Sequence, residues 1–196
     1  MEQLIETDLS WTREWNVAQP IRIGYAARLV NQQKRADLLV DLIECLEQKK
    51  IDYVFHIAGD GECLEIISEY IIANQLEGKV KLLGRLPKEE MNSFWKRQDV
   101  FVNISEYEGT SLSMLEAMSY GCIPVVTDVS GAKEFIADGE NGYICEVGDL
   151  SGISDCIVEL AQNRQKLEKY GMKSREIIAE RCNPDRYIDF WIEQMI

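Results

Sequence analysis

Two carboxylates and two cations stand beside turns that open helices. Glu108 precedes Gly109, and Glu116 follows eight positions later, in the stretch Ser105-Glu106-Tyr107-Glu108-Gly109-Thr110-Ser111-Leu112-Ser113-Met114-Leu115-Glu116-Ala117-Met118. Free N–H groups at a helix start, here near Gly109 to Leu112, bind phosphate or sugar oxygens. Carboxylates at the same place accept hydrogen bonds from sugar hydroxyls. A structural reading fits the same residues: Ser113-x-x-Glu116 satisfies a capping box, and Glu108 complements a helix dipole. Upstream, Arg28-Leu29-Val30-Asn31-Gln32-Gln33-Lys34 sets an arginine and a lysine around a polar turn into a helix. That is the make-up of an anion site, and equally of a pair of solvated surface charges. Gly59-Asp60-Gly61 closes an apolar run. Its glycines either let a ligand approach the backbone or make a tight turn, and they lack the dinucleotide-fingerprint spacing.

Each of these loops follows a short apolar segment. Ile21 to Ala27, Tyr53 to Ala58, Val80 to Leu83, Val100 to Ile104, Ile123 to Thr127 and Gly142 to Cys145 read as strands. Between them lie helical patterns: Lys34 to Lys49, with Leu38, Leu39, Leu42, Ile43 and Leu46 on one face; Glu62 to Asn74; Lys88 to Arg97, entered at Pro87; and Ser111 to Tyr120, closed by Gly121. Helices follow from Leu150 to about Gln162, around Arg164 to Arg181, and from Pro184 to Ile196. Strands alternating with helices predict right-handed crossovers and a parallel sheet of about six strands. The fold class is therefore α/β, a Rossmann-like three-layer α/β/α domain over residues 21–196, with 1–20 as a linker remnant or interdomain strap. Ligands of such sheets bind at the carboxyl ends of the strands, which is where the loops above lie.

Composition narrows the chemistry. The chain has 196 residues and a net charge of −13, so it repels nucleic acid at long range and needs local cations to hold an anion. Its single histidine, His56, sits in an apolar strand, which rules out a histidine metal cluster. The six cysteines form no Cys-x-x-Cys pair and read as small core residues in a reducing cytosol. No apolar run approaches the roughly 20 residues of a membrane helix, and Met1 to Ser10 holds no signal-like stretch. The expected location is cytoplasmic.

The stretch Glu108-Gly109 through Glu116-Ala117-Met118, closing with Gly121-x-x-Pro124-Val125-Val126, resembles the E-x7-E motif of retaining glycosyltransferases of the GT-B fold, glycosyltransferase family 4. Arg28 and Lys34 resemble that family's phosphate-binding arginine and lysine. Gly59-Asp60-Gly61 is similar to its second loop, and Leu83-Gly84-Arg85-Leu86 to the loop beside the base. Gly131-Ala132-Lys133-Glu134 and Asp138-Gly139-x-Asn141-Gly142 are also typical of it. Two departures stand out: Thr110-Ser111 where many members have Phe-Gly, and Arg35 where some have glycine. The resemblance implies the C-terminal, nucleotide-sugar-binding half of an enzyme that moves a hexose from a nucleotide diphosphate sugar, with retention, in cell-surface glycan assembly. It implies that Arg28 and Lys34 neutralise the diphosphate, Glu108 binds the hexose, Glu116 holds the ribose, and Gly59, Leu86, Gly109, Thr110, Ser111 and Leu112 complete the donor site. It implies no metal or other cofactor, and an N-terminal acceptor-binding domain outside this chain. A peripheral membrane association of the full enzyme stays open. The alternatives are a non-catalytic nucleotide-sugar-binding module and a GT-B-fold nucleotide-sugar epimerase.

Overall fold

A computed structural model describes residues 19–182. The strap expected over 1–20, residues 19 and 20 apart, and the helix expected from Pro184 lie outside the described residues. Six strands form one sheet: β1 (Ile21–Ala26), β2 (Tyr53–Ala58), β3 (Val80–Gly84), β4 (Val100–Asn103), β5 (Ile123–Thr127) and β6 (Tyr143–Cys145). The helices are α1 (Leu39–Lys49), α2 (Leu64–Ala73), α3 (Lys88–Trp95), α4 (Leu112–Ser119), α5 (Leu150–Gln162) and α6 (Arg164–Arg181). All neighbouring strands pair in parallel, in the order β3-β2-β1-β4-β5-β6. The order reverses between β1 and β4, and their carboxyl ends bound the crevice where ligands of doubly wound sheets sit.

Alternation along the strands fills two cores, one per face. Ile21, Ile23 and Tyr25 of β1 join Leu39, Leu42, Ile43 and Leu46 of α1 and Ile153, Ile157 and Leu160 of α5. Phe94 and Trp95 of α3, Phe101 of β4, and Met114, Ala117 and Met118 of α4 form the other. Leu42 is fully buried, so its truncation to alanine costs about 2–5 kcal/mol. Gly24 faces Trp95 and Gln98, where an added Cβ would stand 2.7 Å from the Gln98 side chain. The expected stripe of α1 is all buried except Leu38, which is half-buried. Cys63 and Cys122 are buried as expected, but Cys45, Cys145, Cys156 and Cys182 are only half-buried, and all six are free thiols. His56 is a satisfied strand residue, with Nδ1 2.9 Å from Gln98 Oε1. Burial lowers its pKa, against the Gln98 hydrogen bond. Among the described residues no helix is long and apolar enough to cross a membrane.

Candidate functional site

The crevice at the β1/β4 switch point is built from two loops. The first follows β1 and is pinned to the turn after β2: Leu29 N donates to Asp60 O at 2.9 Å and Cys63 N to Leu29 O at 2.9 Å. Gly59 makes this possible. A Cβ there would stand 2.0 Å from Ala27 O, so only glycine admits the loop. Its N–H is taken by Gly84 O at 2.8 Å. The backbone that approaches Gly59 is thus the chain's own, and the residue seats the Arg28 loop.

The helix expected from Lys34 begins later. Arg35 is left-handed at φ 48°, a short 3-10 turn covers Ala36–Leu38, and α1 starts at Leu39. Lys34 therefore belongs to the loop, five positions before α1 begins at Leu39. Arg28 is exposed, with Nη2 3.4 Å from Gln33 Oε1. Among the described residues no carboxylate pairs with Arg28, so its charge is available to a ligand.

The second loop follows β4 and crosses to the first. Lys34 Nζ donates to Glu108 Oε1, with both side chains 13% exposed. Asn103 Nδ2 donates to Glu108 Oε2 at 2.6 Å, and Ser105 Oγ reaches the same oxygen at 3.3 Å. Asn103 and Ser105 are site residues that sequence reasoning missed. The one available signal was a polar residue ending the apolar run Val100–Asn103. Thr127 Oγ1 donates to Ser105 O at 2.6 Å and ties this loop to β5.

Gly109, Thr110 and Leu112 are exposed, and none of the described residues accepts a hydrogen bond from the N–H groups of Gly109 to Leu112. Their position is fixed from behind: a Cβ at Gly131 would lie 2.6 Å from Thr110 Cα, so the 131 turn packs directly on this backbone. Ser111 is buried and is the N-cap of α4, its Oγ accepting from Met114 N at 3.4 Å. Its hydroxyl is spent on the helix. The Cys122 N→Ala117 O and Gly121 N→Met118 O bonds, at 3.0 and 2.9 Å, close α4 in a Schellman turn.

That N-cap removes the capping-box reading of Glu116. A capping box needs the acid three positions after the cap; the cap is Ser111, and the third position is Met114. Glu116 lies inside α4 and caps nothing. Its carboxyl pKa is raised, first by burial, against the nearby Trp95 indole and the Lys88 charge. The buried Trp95 Nε1 makes no hydrogen bond of good geometry, so it leans on Glu116 without saturating it. Leu86, half-buried, packs on the same cluster as Trp95 and Phe94. The structure thus brings Arg28, Lys34 and Glu108 to one end of β1 and β4, with Glu116, Leu86 and Trp95 along the α3–α4 side. Among the described residues, no group of three or more His, Cys, Asp or Glu side chains is gathered to hold a metal ion.

The arrangement offers cations and free N–H groups to an anion and carboxylates to hydroxyls. Known proteins resemble the chain as a whole. The family model described as glycosyl transferases group 1 matches residues 11–177. A poly(ribitol-phosphate) alpha-N-acetylglucosaminyltransferase of Staphylococcus aureus is 32% identical over 173 residues, which cover 87% of this chain and 34% of that protein. A poly(glycerol-phosphate) alpha-glucosyltransferase of Bacillus subtilis is 29% identical over 181 residues, 89% of this chain and 25% of that one. The crystal structure of S. aureus TarM, a mutant with fondaparinux, alpha-GlcNAc-glycerol and UDP, superposes with a TM-score of 0.82 at 30% identity, covering 93% of this chain and 36% of that one. The chain thus spans about a third of the length of the first of these relatives.

Proposed function

The chain belongs to the glycosyl transferases group 1 family, and from that premise we propose that it is the donor-binding domain of a retaining hexosyltransferase, using a nucleotide diphosphate sugar in cell-surface glycan assembly. The observation that carries the reading is the meeting of Arg28, Lys34 and Glu108 at the switch point, beside the unpaired N–H groups of Gly109 to Leu112. Arg28 and Lys34 face the diphosphate, where negative charge grows as the glycosidic bond breaks, and charge that grows is where fixed cations lower a barrier. The N–H groups at the start of α4 add partial positive charge on the same side. Glu108, held by Asn103 and Ser105, accepts from hexose hydroxyls. Glu116 accepts from the ribose, and Leu86 flanks the base. No metal is needed for this neutralisation, because the chain's own cations supply it. Retention is supported by the alpha linkages that the two relatives' names state, since common nucleotide sugar donors are alpha-linked. The glycan role is supported by the anionic polymers in those names. The acceptor-binding wall of the cleft lies, in this reading, in a second domain outside these residues, so the chain binds donor but does not turn over.

The test is calorimetric titration of the chain with UDP, ADP and GDP, then transfer assays on the enzyme that contains it. We expect saturable binding of one nucleotide, no transfer by the chain alone, and collapse of transfer in the full enzyme on Glu108→Gln. A folded chain that binds none of the three overturns the proposal.

A further inference from the structure

Lys34 and Glu108 are assigned to neighbouring parts of one donor, the diphosphate and the hexose. Their loops must therefore keep a fixed register, although no strand pairing joins them. Three links do so. Lys34 pairs with Glu108. Glu106 N donates to Gln33 O at 3.0 Å. Arg35 Nη1 donates to Glu106 Oε2 at 3.0 Å, while its Nε lies 3.5 Å from Asp37. Arg35 holds this pose at φ 48°, ψ 40°, a left-handed backbone that residues with a Cβ rarely adopt. The turn around it is closed by Arg35 N to Asn31 O at 3.1 Å and Ala36 N to Val30 O at 3.2 Å.

We infer that Arg35 is a positioning residue: through Glu106 it keeps the Lys34 loop in register with the Glu108 loop when a donor separates Lys34 from Glu108. The inference rests on the donor-site reading above. Donor entry turns the Lys34 ammonium toward the diphosphate and the Glu108 carboxylate toward the hexose, so the direct pair opens. Two links then remain, and Arg35–Glu106 is the only one made by side chains. The pair is partly exposed, at 29% and 50%, so it adds little to stability. Its consequence is geometric, because each partner is anchored within two residues of a donor contact. A ligand that bridges Lys34 and Glu108 feels a slip between them, whereas bare UDP meets the second loop only at the Gly109–Leu112 backbone, which the 131 turn fixes from behind, and feels it less.

Arg35→Gly is the discriminating variant, since glycine takes the left-handed turn without strain and removes the guanidinium. Affinities for UDP and UDP-N-acetylglucosamine are measured by calorimetry on parent, Arg35→Gly and Arg35→Lys, with amide exchange at Glu106 in the UDP-saturated proteins. UDP affinity should fall less than that of UDP-N-acetylglucosamine in Arg35→Gly, so that the preference for the sugar nucleotide over UDP falls roughly two- to fivefold, the scale of an exposed ion pair. Glu106 exchange should rise, and Arg35→Lys should recover both. A lower melting temperature with an unchanged preference and unchanged Glu106 exchange makes Arg35 merely structural and overturns the inference. If the parent binds neither of these nor ADP or GDP, the donor-site reading fails and carries the inference with it; if it binds ADP or GDP instead, the same comparison is made with that nucleotide and its sugar form. If the parent binds UDP and Arg35→Gly keeps Glu106 protected, the inference alone fails, whichever sugar the enzyme uses.

Discussion

Strands β1 and β4 carry an ion pair at each end, and the two pairs are built differently. At the amino end, Arg22 offers Asp99 three donors, N, Nε and Nη2, at 2.9, 2.9 and 2.7 Å. Asp99 N returns a bond to Arg22 O at 2.7 Å, and the Asp99 side chain is 4% exposed. The Asp99 hydrogen bond raises the Arg22 pKa, against burial. At the carboxyl end, Lys34 meets Glu108 through one contact, and the remaining partners of Glu108 are the neutral Asn103 and Ser105. An ammonium has three donors, so Lys34 keeps capacity to spare. The lower pair is saturated and bound into the backbone; the upper one can be exchanged for a ligand. A charge pair thus announces function by what it leaves unsatisfied more than by being present.

The largest effect expected tests the lower pair. Asp99→Ala leaves the Arg22 guanidinium and N–H without their main acceptor. Unfolding in urea should show a loss of about 3 kcal/mol, the low end for a broken buried pair because Arg22 is still 27% exposed. UDP affinity of the folded fraction should not change. A loss under about 1 kcal/mol would make the two ends alike and break the comparison.

The upper end should respond the other way round. Arg28→Ala and Lys34→Ala should each weaken UDP binding by about 1.5–3 kcal/mol, the scale of a charge-assisted hydrogen bond. Uridine should bind parent and variants alike; Arg28→Ala should leave the melting temperature in place, and Lys34→Ala should lower it less than Asp99→Ala does, because Asn103 and Ser105 still hold Glu108. Equal UDP affinities would make both cations ordinary surface charges.

The fold was legible because its signals are local. Apolar strands, the α1 stripe and Gly121 after α4 each announce themselves within a few residues, and the six strands fall where the apolar runs place them. The site was legible to the extent that it sits at strand ends: Arg28, Lys34, Glu108 and the Gly109–Leu112 turn are all there. What distance in sequence hides is pairing. Nothing near Lys34 points to Glu108, 74 positions away, and nothing near Gly59 shows that Ala27 O fills the space over it. The start of α4 misled for a local reason. Ser111 and Ser113 are both good caps, and only the chain path sets the helix start at Leu112. Arg35 was visible only as a departure from glycine; its left-handed backbone gives the reason glycine suits that position.

Glu116 sharpens the contrast within the upper end, because burial sets its charge. Its raised pKa means that the protonated form is favoured in the folded protein, so its contribution to stability is present at low pH and is lost as pH rises through the folded value. In the proposed site, ribose binding uses the ionised form, which accepts from both hydroxyls. UDP affinity should therefore fall as pH is lowered, in a step above the ordinary glutamate value of 4.5. Glu116→Gln should remove the step and cost roughly 1–2 kcal/mol of UDP affinity near neutral pH, with no loss of melting temperature. Titration of UDP affinity against pH in both proteins checks this; a step that survives in the variant belongs to another group.

The smallest effect expected is the most telling about exchange. Lys34 is paired with Glu108, so in the proposed site UDP competes with that carboxylate for the ammonium. Glu108→Gln keeps the shape and the hydrogen bonds to Asn103 and Ser105 within reach of an amide oxygen, but it removes the charge that Lys34 has to leave. Bare UDP should then bind slightly more tightly, by about 0.5 kcal/mol, a small gain because the diphosphate replaces most of what the carboxylate supplied to Lys34. The gain should shrink as salt is added, because screening weakens the competing pair in the parent. The melting temperature should drop little, since one of the two oxygens is still held. A lower UDP affinity in Glu108→Gln would put that carboxylate on the nucleotide and not on the hexose. If Glu116→Gln kept full affinity in the same experiment, the two glutamates would have to trade roles, with Glu108 on the ribose and Glu116 away from the nucleotide.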